Sequence, residues 1–328
     1  MSALLEVRGL STVYDAPEGP IRAVDGVDLT VGRGEILGVV GESGSGKTTL
    51  VMSLMRLVKP PGKILKGGEM LLDGEDLFGL PRSKMPARRG RDLALIPQSA
   101  MHALNPVIPV DKQVAEAITV HRKVNSKDAL LAARERLVEV GIPAERHSAY
   151  PHELSGGMRQ RCVIAMAVAN EPKLVIADEP VSGLDVVVQA RILRLIAELK
   201  ESRGLSMILV SHDLSTVARV CDRIAVMYAG RIVETGEART LFKSPLHPYT
   251  RALVAAIPQV QGPKQALRAI PGDPPDLSQL PPGCDFQPRC PSAFADCETV
   301  DPSLEEVEPG RKAACLLYHK NERRQLDE

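Results

Sequence analysis

Three of the short apolar runs in this chain of 328 residues suit strands of a parallel sheet. They are Ile36–Val40, Leu93–Ile96 and 174–177. Runs of this kind are typical of strands that are buried on both faces, as in a parallel sheet. Val27, Leu29 and Val31 alternate instead with polar neighbours, which predicts a half-buried antiparallel strand. The pattern therefore predicts both a parallel and an antiparallel sheet.

Apolar residues occur at helical spacing through much of the sequence between these strands. A helix is predicted over 187–203, with four aliphatic residues on one face and Gly204 as its stop signal. Another helix is predicted over 48–58. It is expected to end there because the prolines that follow forbid its continuation. From about 99 to 170 the pattern is mainly helical and indicates an inserted helical subdomain. Strands that alternate with helices predict an α/β core.

Hairpins and a proline-rich tail complete the pattern. Tight turns are predicted at Asp73-Gly74 and at Ala229-Gly230, each between two short strands. Beyond about residue 240, frequent prolines interrupt regular structure. Residues 1–240 are therefore expected to form the compact core, and 241–328 a loop-rich extension that holds four of the six cysteines.

Charge balance and hydropathy argue against some classes of function. Lys plus Arg and Asp plus Glu are equal at 41 each, so no global field attracts nucleic acid or anionic lipid. The first residues lack the pattern of a signal peptide, and no window approaches 18 uninterrupted apolar residues. The expectation is a cytosolic protein, or one that other subunits hold at a membrane.

The strongest chemical signal is the stretch Gly41-Glu42-Ser43-Gly44-Ser45-Gly46-Lys47-Thr48, which fits G-x-x-x-x-G-K-[ST] between a predicted strand and a predicted helix. Its glycines let successive N–H groups converge on a phosphate, and the helix start adds the positive end of its dipole. Lys47 is expected to reach the β- and γ-phosphates, and the Thr48 hydroxyl to ligate Mg²⁺. A nucleotide-phosphate site is predicted here.

A pair of acidic residues suggests what is done with the nucleotide. Asp178 and Glu179 follow the apolar run 174–177, at the carboxyl end of a predicted strand where open α/β sheets bind ligands. Asp178 is expected to hold Mg²⁺ and Glu179 to act as the general base on the attacking water. Two acidic residues at a strand end are common by themselves, and the upstream glycine loop favours the catalytic interpretation.

A second predicted helix start lies more than a hundred residues from the first. Ser155, Gly156 and Gly157 can cap a helix and bind an anion there. A chain with two phosphate-binding helix starts but one lysine loop suggests that two chains share each nucleotide. Without Asp178 and Glu179, a simple capped helix would be the better interpretation.

The order and spacing of these motifs resemble those of ABC ATPases. Residues 41–48 resemble their Walker A motif, 174–178 Walker B, 154–158 the signature motif, Gln98 the Q-loop, 182–185 the D-loop and His212 the switch histidine. The resemblance covers roughly residues 4–240. It implies an ABC-type P-loop ATPase core with an antiparallel β subdomain, an inserted helical subdomain and a C-terminal extension.

The resemblance also implies roles for individual residues. Tyr14 would stack on the adenine, Gln98 would contact Mg²⁺ and sense the membrane partner, and His212 would brace the γ-phosphate. Nucleotide contacts are expected from Gly41, Ser43, Gly44, Ser45, Gly46, Lys47, Thr48, Thr49, Ser155, Gly156, Gly157 and Asp185. Mg²⁺ contacts are expected from Thr48, Gln98 and Asp178, and catalysis from Glu179, His212 and Gln98. Met158 and Gly183 depart from the commonest form of the signature and D-loop.

The tail narrows the resemblance to one group of ABC ATPases, the ATP-binding subunits of oligopeptide, dipeptide and nickel importers. Three stretches of the tail resemble these subunits, at residues 247–253, 270–272 and 284–291. So does the upstream stretch 99–110. This implies ATP-driven uptake of di- or oligopeptides, or of a related small solute, through two membrane permease subunits. It also implies a second ABC ATPase subunit, preferably a different one, and an extracytoplasmic solute-binding protein. The expected location is the cytoplasmic face of the cell membrane. The alternative is a soluble ABC ATPase that acts on nucleic acid or ribosomes; no nucleic-acid partner is expected, because no basic face is evident.

The cysteines of the tail leave two interpretations open. The spacing of Cys284, Cys290, Cys297 and Cys315 matches neither the usual zinc patterns nor the standard ferredoxin runs. Importers of this family carry a similar quartet that can hold a [4Fe-4S] cluster, so the resemblance implies metal ligation, while packing is the alternative. Cys162 and Cys221 lie in apolar helical runs and are expected in the core.

Overall fold

The structure is a computed structural model that describes residues 3–98, 103–257 and 270–318. It divides into two compact units that interleave along the chain. The first unit is Met1–Glu6, Thr30–Ile36 and Met70–Val210, and the second is Val7–Leu29, Leu37–Glu69 and Ser211–Glu328. The boundaries predicted at about 99, 170 and 240 stay predictions. The first four residues of the importer-like stretch 99–110 lie outside the described residues.

Strands and helices follow the α/β pattern expected from the sequence. The strands are β1 (Ala3–Ala16), β2 (Gly19–Gly32), β3 (Ile36–Val40), β4 (Gly62–Ile64), β5 (Glu69–Leu72), β6 (Glu75–Asp76), β7 (Leu93–Ile96), β8 (Leu174–Asp178), β9 (Ser206–Ser211), β10 (Arg223–Tyr228), β11 (Arg231–Glu237), β12 (Glu305–Glu308) and β13 (Arg311–Ala313). The helices are α1 (Lys47–Leu54), α2 (Val110–Thr119), α3 (Ser126–Glu139), α4 (Gly156–Val168), α5 (Val186–Arg203), α6 (Leu214–Val217), α7 (Ala238–Lys243) and α8 (Pro248–Ala255).

The first unit contains the parallel strands β7, β8 and β9. β7 pairs with β8 from Leu93 opposite Leu174, and β8 pairs with β9 as far as Asp178 opposite Val210. Every residue of β8 and β9 is buried, which explains their nearly continuous apolar sequences. The carboxyl end of β8 therefore delivers Asp178 and then Glu179 at one edge of this sheet.

Helices α2, α3, α4 and α5 complete the first unit. α3 begins at the cap residue Asn125, whose side chain accepts a hydrogen bond from the Asp128 N–H at 2.9 Å. α5 begins at Asp185 and ends at Gly204, which has a φ of 62°. The bounds of α5 lie within one residue of the helix predicted over 187–203, and Gly204 ends it as expected. The start of α3 at Asn125 was not predicted.

The second unit contains β4 paired antiparallel with β1, and a sheet in which β3 pairs with β10 in parallel. β10 and β11 form the predicted hairpin, with Ala229 and Gly230 at positive φ in its turn. A buried hydrogen bond of 2.7 Å between the Thr12 and Ser53 hydroxyls ties β1 to α1. The phosphate loop therefore lies between a fully buried strand, β3, and a helix that is anchored to the antiparallel strands.

The C-terminal extension contains regular structure that the proline pattern did not predict. β13 pairs antiparallel with β11, and β12 pairs with β13, so the extension lengthens the sheet of the second unit. The buried carboxylate of Glu234 in β11 accepts hydrogen bonds from the N–H groups of Leu246 and His247, at 2.9 and 2.8 Å. Burial raises the pKa of Glu234. This carboxylate fixes the start of α8 against the sheet.

One helix prediction was wrong at its end. α1 stops at Leu54, although continuation to residue 58 was expected. The Arg56 N–H donates to Ser53 and the Leu57 N–H to Met52, with Arg56 at a φ of 51°. This pair of hydrogen bonds is the Schellman arrangement, which usually carries glycine at the left-handed position. Arginine at this position gives no stop signal in the sequence.

No helix in the described part of the chain is both long enough and apolar enough to cross a membrane.

Candidate functional site: a phosphate loop and a catalytic corner

The phosphate loop of the second unit surrounds the Lys47 ammonium group. Lys47 Nζ donates hydrogen bonds to the Gly41 carbonyl at 2.8 Å, the Glu42 carbonyl at 2.7 Å and the Ser45 hydroxyl at 3.2 Å. The Lys47 side chain is buried, whereas Ser43, Gly44 and Thr48 are exposed. The loop thus holds a positive charge beneath an open surface, which suits the capture of an anion.

Two loop positions accept only glycine. A Cβ atom on Gly41 would lie 2.1 Å from the Met227 carbonyl oxygen, and one on Gly46 would lie 2.1 Å from the Ala23 carbonyl oxygen. Gly46 also has a φ of 98°, in the left-handed region. The loop conformation is therefore enforced by the neighbouring backbone.

Three other predicted nucleotide contacts lie in this unit. Tyr14, in β1, is half-buried. Its ring lies close to Gly62, since a Cβ atom added to Gly62 would be 2.6 Å from the Tyr14 Cε1 atom. Thr49 is half-buried in the first turn of α1. His212 is exposed and directly follows β9. Their roles toward a nucleotide stay predictions.

The first unit brings Gln98 and Glu179 together. The Gln98 Nε2 donates a hydrogen bond of 3.1 Å to a carboxylate oxygen of Glu179. Glu179 has a φ of 48°, unusual for a residue with a side chain, whereas Asp178 is buried with 1% of its surface exposed. The two carboxylates therefore have different surroundings, as the proposed division of their roles requires.

The signature and D-loop segments also meet in the first unit. The Ser155 hydroxyl accepts a hydrogen bond from the Met158 N–H at 3.3 Å and caps α4. The Asp185 carboxylate accepts one from the Val188 N–H at 2.9 Å and caps α5. A Cβ on Gly157 would lie 2.6 Å from Val188 Cγ1, so the two helix starts pack closely. Their predicted phosphate contacts are untested, but both caps are present.

The four cysteines of the extension line one small cavity together with His247 and Phe286. Burial raises the pKa of the Cys284 thiol to about 12, and the nearby Cys297, Cys315 and Cys290 thiols add to this rise. Within residues 3–98, 103–257 and 270–318, however, no three His, Cys, Asp or Glu side chains are arranged to hold a metal ion. The predicted quartet is thus gathered, but it lacks the geometry of a ligand set. Cys162 and Cys221 are buried, as expected.

The sequence analysis assigned no role to Glu42 of the phosphate loop, and it missed Tyr249 and Arg289, which bind Glu42. The Glu42 N–H donates a hydrogen bond to the Tyr249 hydroxyl at 2.8 Å, and Arg289 binds the Glu42 carboxylate with two hydrogen bonds of 2.7 and 3.0 Å. Tyr249 and Arg289 belong to stretches that resemble the importer family. Their partner lies more than 200 residues away in the chain, which no local pattern reveals.

Comparisons with known proteins identify the family of this chain. A family model described as ABC transporter matches residues 24–182, and one described as the C-terminal region of oligopeptide/dipeptide transporters matches residues 233–297. A probable peptide ABC transporter ATP-binding protein of Sinorhizobium fredii is 46% identical over 315 residues, which cover 95% of this chain and 94% of the relative. The oligopeptide transport ATP-binding protein OppD of Escherichia coli is 42% identical over 316 residues, covering 96% and 93%.

Solved structures show the same fold. A dimeric structure of the bacterial ABC transporter cassette MJ0796 aligns with a TM-score of 0.64 at 26% identity, covering 72% of this chain and 99% of that chain. The same cassette bound to ADP and phosphate aligns with a TM-score of 0.63 at 25% identity and equal coverage. The chain therefore belongs to the ABC transporter family, as an ATPase subunit with the C-terminal region of the oligopeptide/dipeptide transporters.

Proposed function

We propose that this protein hydrolyses MgATP to drive the uptake of di- or oligopeptides, or of a related small solute, through permease subunits in the cell membrane. The observation that carries the proposal is that one chain combines a complete phosphate loop with a C-terminal region of the oligopeptide/dipeptide transporter type. Relatives that match nearly the whole chain are named for peptide or oligopeptide transport. These names support the peptide class of solute.

The proposed assembly has two ATPase subunits on the cytoplasmic face of the membrane. The second subunit, preferably a different ABC ATPase, would supply the opposite half of each nucleotide site. Two permease subunits and an extracytoplasmic solute-binding protein would complete the importer. Support for a pair of ATPase subunits comes from the two separate helix starts, at Lys47 and at Gly156, that suit phosphate groups.

Each predicted site residue receives a role in this proposal. Lys47 and the N–H groups of the glycine loop bind the β- and γ-phosphates, and Tyr14 stacks on the adenine. The Thr48 hydroxyl and the Asp178 carboxylate are oxygen donors of the kind that Mg²⁺ prefers, and the bound ion supplies neutralisation of phosphate charge.

Hydrolysis is assigned to Glu179, with help from Gln98. Glu179 accepts the proton of the attacking water, while the Gln98 amide orients its carboxylate through the hydrogen bond of 3.1 Å. His212 contacts the γ-phosphate. Ser155, Gly156, Gly157 and Asp185 act on the nucleotide that is bound by the other ATPase subunit.

Replacing the proposed general base tests this mechanism. Glu179→Gln is expected to lower ATP turnover by about 100-fold or more and to leave ATP bound, because loss of a general base slows the chemical step without removing the phosphate loop. Turnover is measured on the importer reconstituted in vesicles, with and without peptide. Glu198→Gln is a matched control, since Glu198 is an exposed carboxylate on α5 that pairs with Arg194.

Two outcomes would contradict the proposal. Near-normal turnover of Glu179→Gln would remove this residue from catalysis. Wild-type turnover that responds to nucleic acid or ribosomes, and not to peptide and permease subunits, would favour a soluble ABC ATPase instead.

We also propose that the cysteine cavity holds a [4Fe-4S] cluster. Support comes from the number and type of the donors, because four thiols from separate stretches line one cavity. Ligand geometry is absent from the described residues, so binding requires the side chains to rearrange. Anaerobically purified protein should contain about four iron atoms per chain. Cys290→Ser should lose iron, and the buried Cys162→Ser should retain it; iron-free wild-type protein with ATPase activity would reject the cluster.

A further inference from the structure

We propose that the C-terminal extension sets the affinity of the phosphate loop for nucleotide, with Tyr249 and Arg289 as positioning residues that act through Glu42. The proposal rests on the proposed function to the extent that the loop must bind ATP. All the residues concerned lie in the second unit. We call Tyr249, Arg289 and Glu42 the loop clamp.

Arg289 forms the charged half of the loop clamp. Its Nη1 and Nη2 donate hydrogen bonds of 2.7 and 3.0 Å to the two carboxylate oxygens of Glu42. Its Nε donates to the Pro271 carbonyl at 2.8 Å, and its Nη2 also donates to the Gly272 carbonyl at 3.3 Å. The Arg289 side chain is only 7% exposed, so this forked ion pair is shielded from water. A forked pair fixes the orientation of both groups as well as their separation.

Tyr249 forms the neutral half. Its hydroxyl oxygen accepts the hydrogen bond of 2.8 Å from the Glu42 N–H. The tyrosine is completely buried, and its ring packs against Tyr228 and Phe286 with centroid distances of 4.6 and 5.4 Å. The Tyr249 N–H is bound by His247 Nδ1 at 3.0 Å. A side chain held this firmly can define the position of a backbone group.

The Glu42 peptide connects the loop clamp to the lysine that binds phosphate. Its N–H group is held by Tyr249, and its carbonyl oxygen accepts a hydrogen bond of 2.7 Å from Lys47 Nζ. Any shift of Glu42 therefore moves an acceptor of the Lys47 ammonium group. Since Lys47 must meet the β- and γ-phosphates, the loop clamp is expected to change nucleotide binding more than the chemical step.

A purely structural role is the competing explanation. In that case the loop clamp would only attach the extension to the core, and its loss would lower thermal stability without changing nucleotide affinity. Arg311 provides a matched control, because it is also a buried arginine of the extension but pairs with Glu308 and Glu234 instead of Glu42, so its loss loosens the attachment of the extension and removes no bond of the loop clamp. Arg311→Gln should reproduce any general loosening of the extension.

The experiment measures ATP affinity, KM, kcat and melting temperature for Tyr249→Phe, Arg289→Gln, Arg289→Lys and Arg311→Gln in the full-length chain. Tyr249→Phe and Arg289→Gln should each raise the Kd and KM for ATP by about three- to tenfold, the range for one lost hydrogen bond, with kcat within about twofold. Arg289→Lys should restore part of the affinity, because it keeps the charge but loses the fork. Combining Glu42→Gln with Arg289→Gln should be no worse than the more severe single variant.

Three outcomes would decide against the proposal. If the loop-clamp variants melt at lower temperature but bind ATP as tightly as wild type and Arg311→Gln, the clamp is structural only. If Arg311→Gln weakens ATP binding as much as Arg289→Gln, the effect is not transmitted through Glu42. If the wild-type chain itself fails to bind ATP, the proposed function fails together with this proposal. The first two outcomes, in which the wild type binds ATP, reject only the role of the loop clamp.

Discussion

Helices α1 and α4 both begin with glycines and both suit a phosphate group, but they begin in different ways. α1 has Gly46 as its N-cap and no side-chain cap, so the loop backbone alone shapes its start. α4 has Ser155 as its N-cap, and the Ser155 hydroxyl accepts the Met158 N–H. At the first start no side chain caps the backbone donors, whereas at the second a side chain occupies one donor.

The surroundings of the two starts also differ, because the first is closely packed and the second is more exposed. Neighbouring carbonyl groups lie so close to Gly41 and Gly46 that no side chain fits, and Glu42 is held by the extension. Ser155 is exposed, and the three atoms nearest an added Cβ on Gly157 belong to the Val188 side chain. The first start is therefore enclosed by backbone of its own chain, whereas the second carries an exposed serine. This difference is the one that the proposed sharing of each nucleotide between two ATPase subunits requires.

Changing the glycine at the first start tests how far packing determines the loop. Gly46→Ala should weaken ATP binding by about 100-fold or more, since alanine meets both an unfavourable φ and a carbonyl oxygen at 2.1 Å. Gly44→Ala is a matched control, because Gly44 also has positive φ but nothing lies within 4 Å of its added Cβ. Titration with a fluorescent ATP analogue measures both. Equal losses would mean that φ alone matters and that close packing does not.

Removing the hydroxyl at the second start should separate hydrolysis from binding. Ser155→Ala is expected to lower ATP turnover by about tenfold through loss of the proposed hydrogen bond to phosphate. It should also lower the free energy of unfolding by about 1 kcal/mol through loss of the cap. ATP affinity of the chain's own phosphate loop should stay unchanged. Ser155→Thr keeps a capping hydroxyl and serves as the control. A parallel fall in affinity and turnover would assign both starts to one site within the chain.

Much of this arrangement could be predicted from the sequence, because the signals are local. The strand Leu93–Ile96 has the bounds that its apolar run predicts, and the turns at Asp73 and Ala229 carry the positive φ expected before glycine. The caps Ser155 and Asp185 are likewise local features. Each of these elements is determined by residues within a few positions in the chain.

The features that escaped prediction depend on partners that are distant in the chain. The end of α1 carries Arg56 where a glycine would have been recognised. β13 forms by pairing with the edge of β11. Arg289 binds Glu42, which lies 247 positions away in the chain. The cysteines show the same limit, since their spacing gives no ligand pattern although the fold gathers them around one cavity.

A paired substitution distinguishes packing from phosphate contact at the second start. Gly157→Ala should destabilise the protein by about 1 kcal/mol, because overpacking against Val188 outweighs the gain in helix propensity. In a Val188→Ala background the same change should be neutral or stabilising. Chemical denaturation measures both backgrounds. If Gly157 approaches a phosphate, ATP turnover should fall in both the wild-type and the Val188→Ala background. If turnover recovers together with stability in the Val188→Ala background, packing is the only role of this glycine.

The smallest effect is expected at Met158, the position where this signature departs from the common glutamine. The Met158 N–H, which belongs to the backbone, makes the hydrogen bond to Ser155, so the cap does not depend on the side chain. Met158→Gln should therefore change the free energy of unfolding by no more than about 0.5 kcal/mol, and ATP turnover by no more than about twofold. Turnover of the reconstituted importer is the decisive measurement. A large gain in turnover with glutamine would mean that a polar side chain reaches the nucleotide at this start, and that the open start of α4 is only partly formed by its backbone and Ser155.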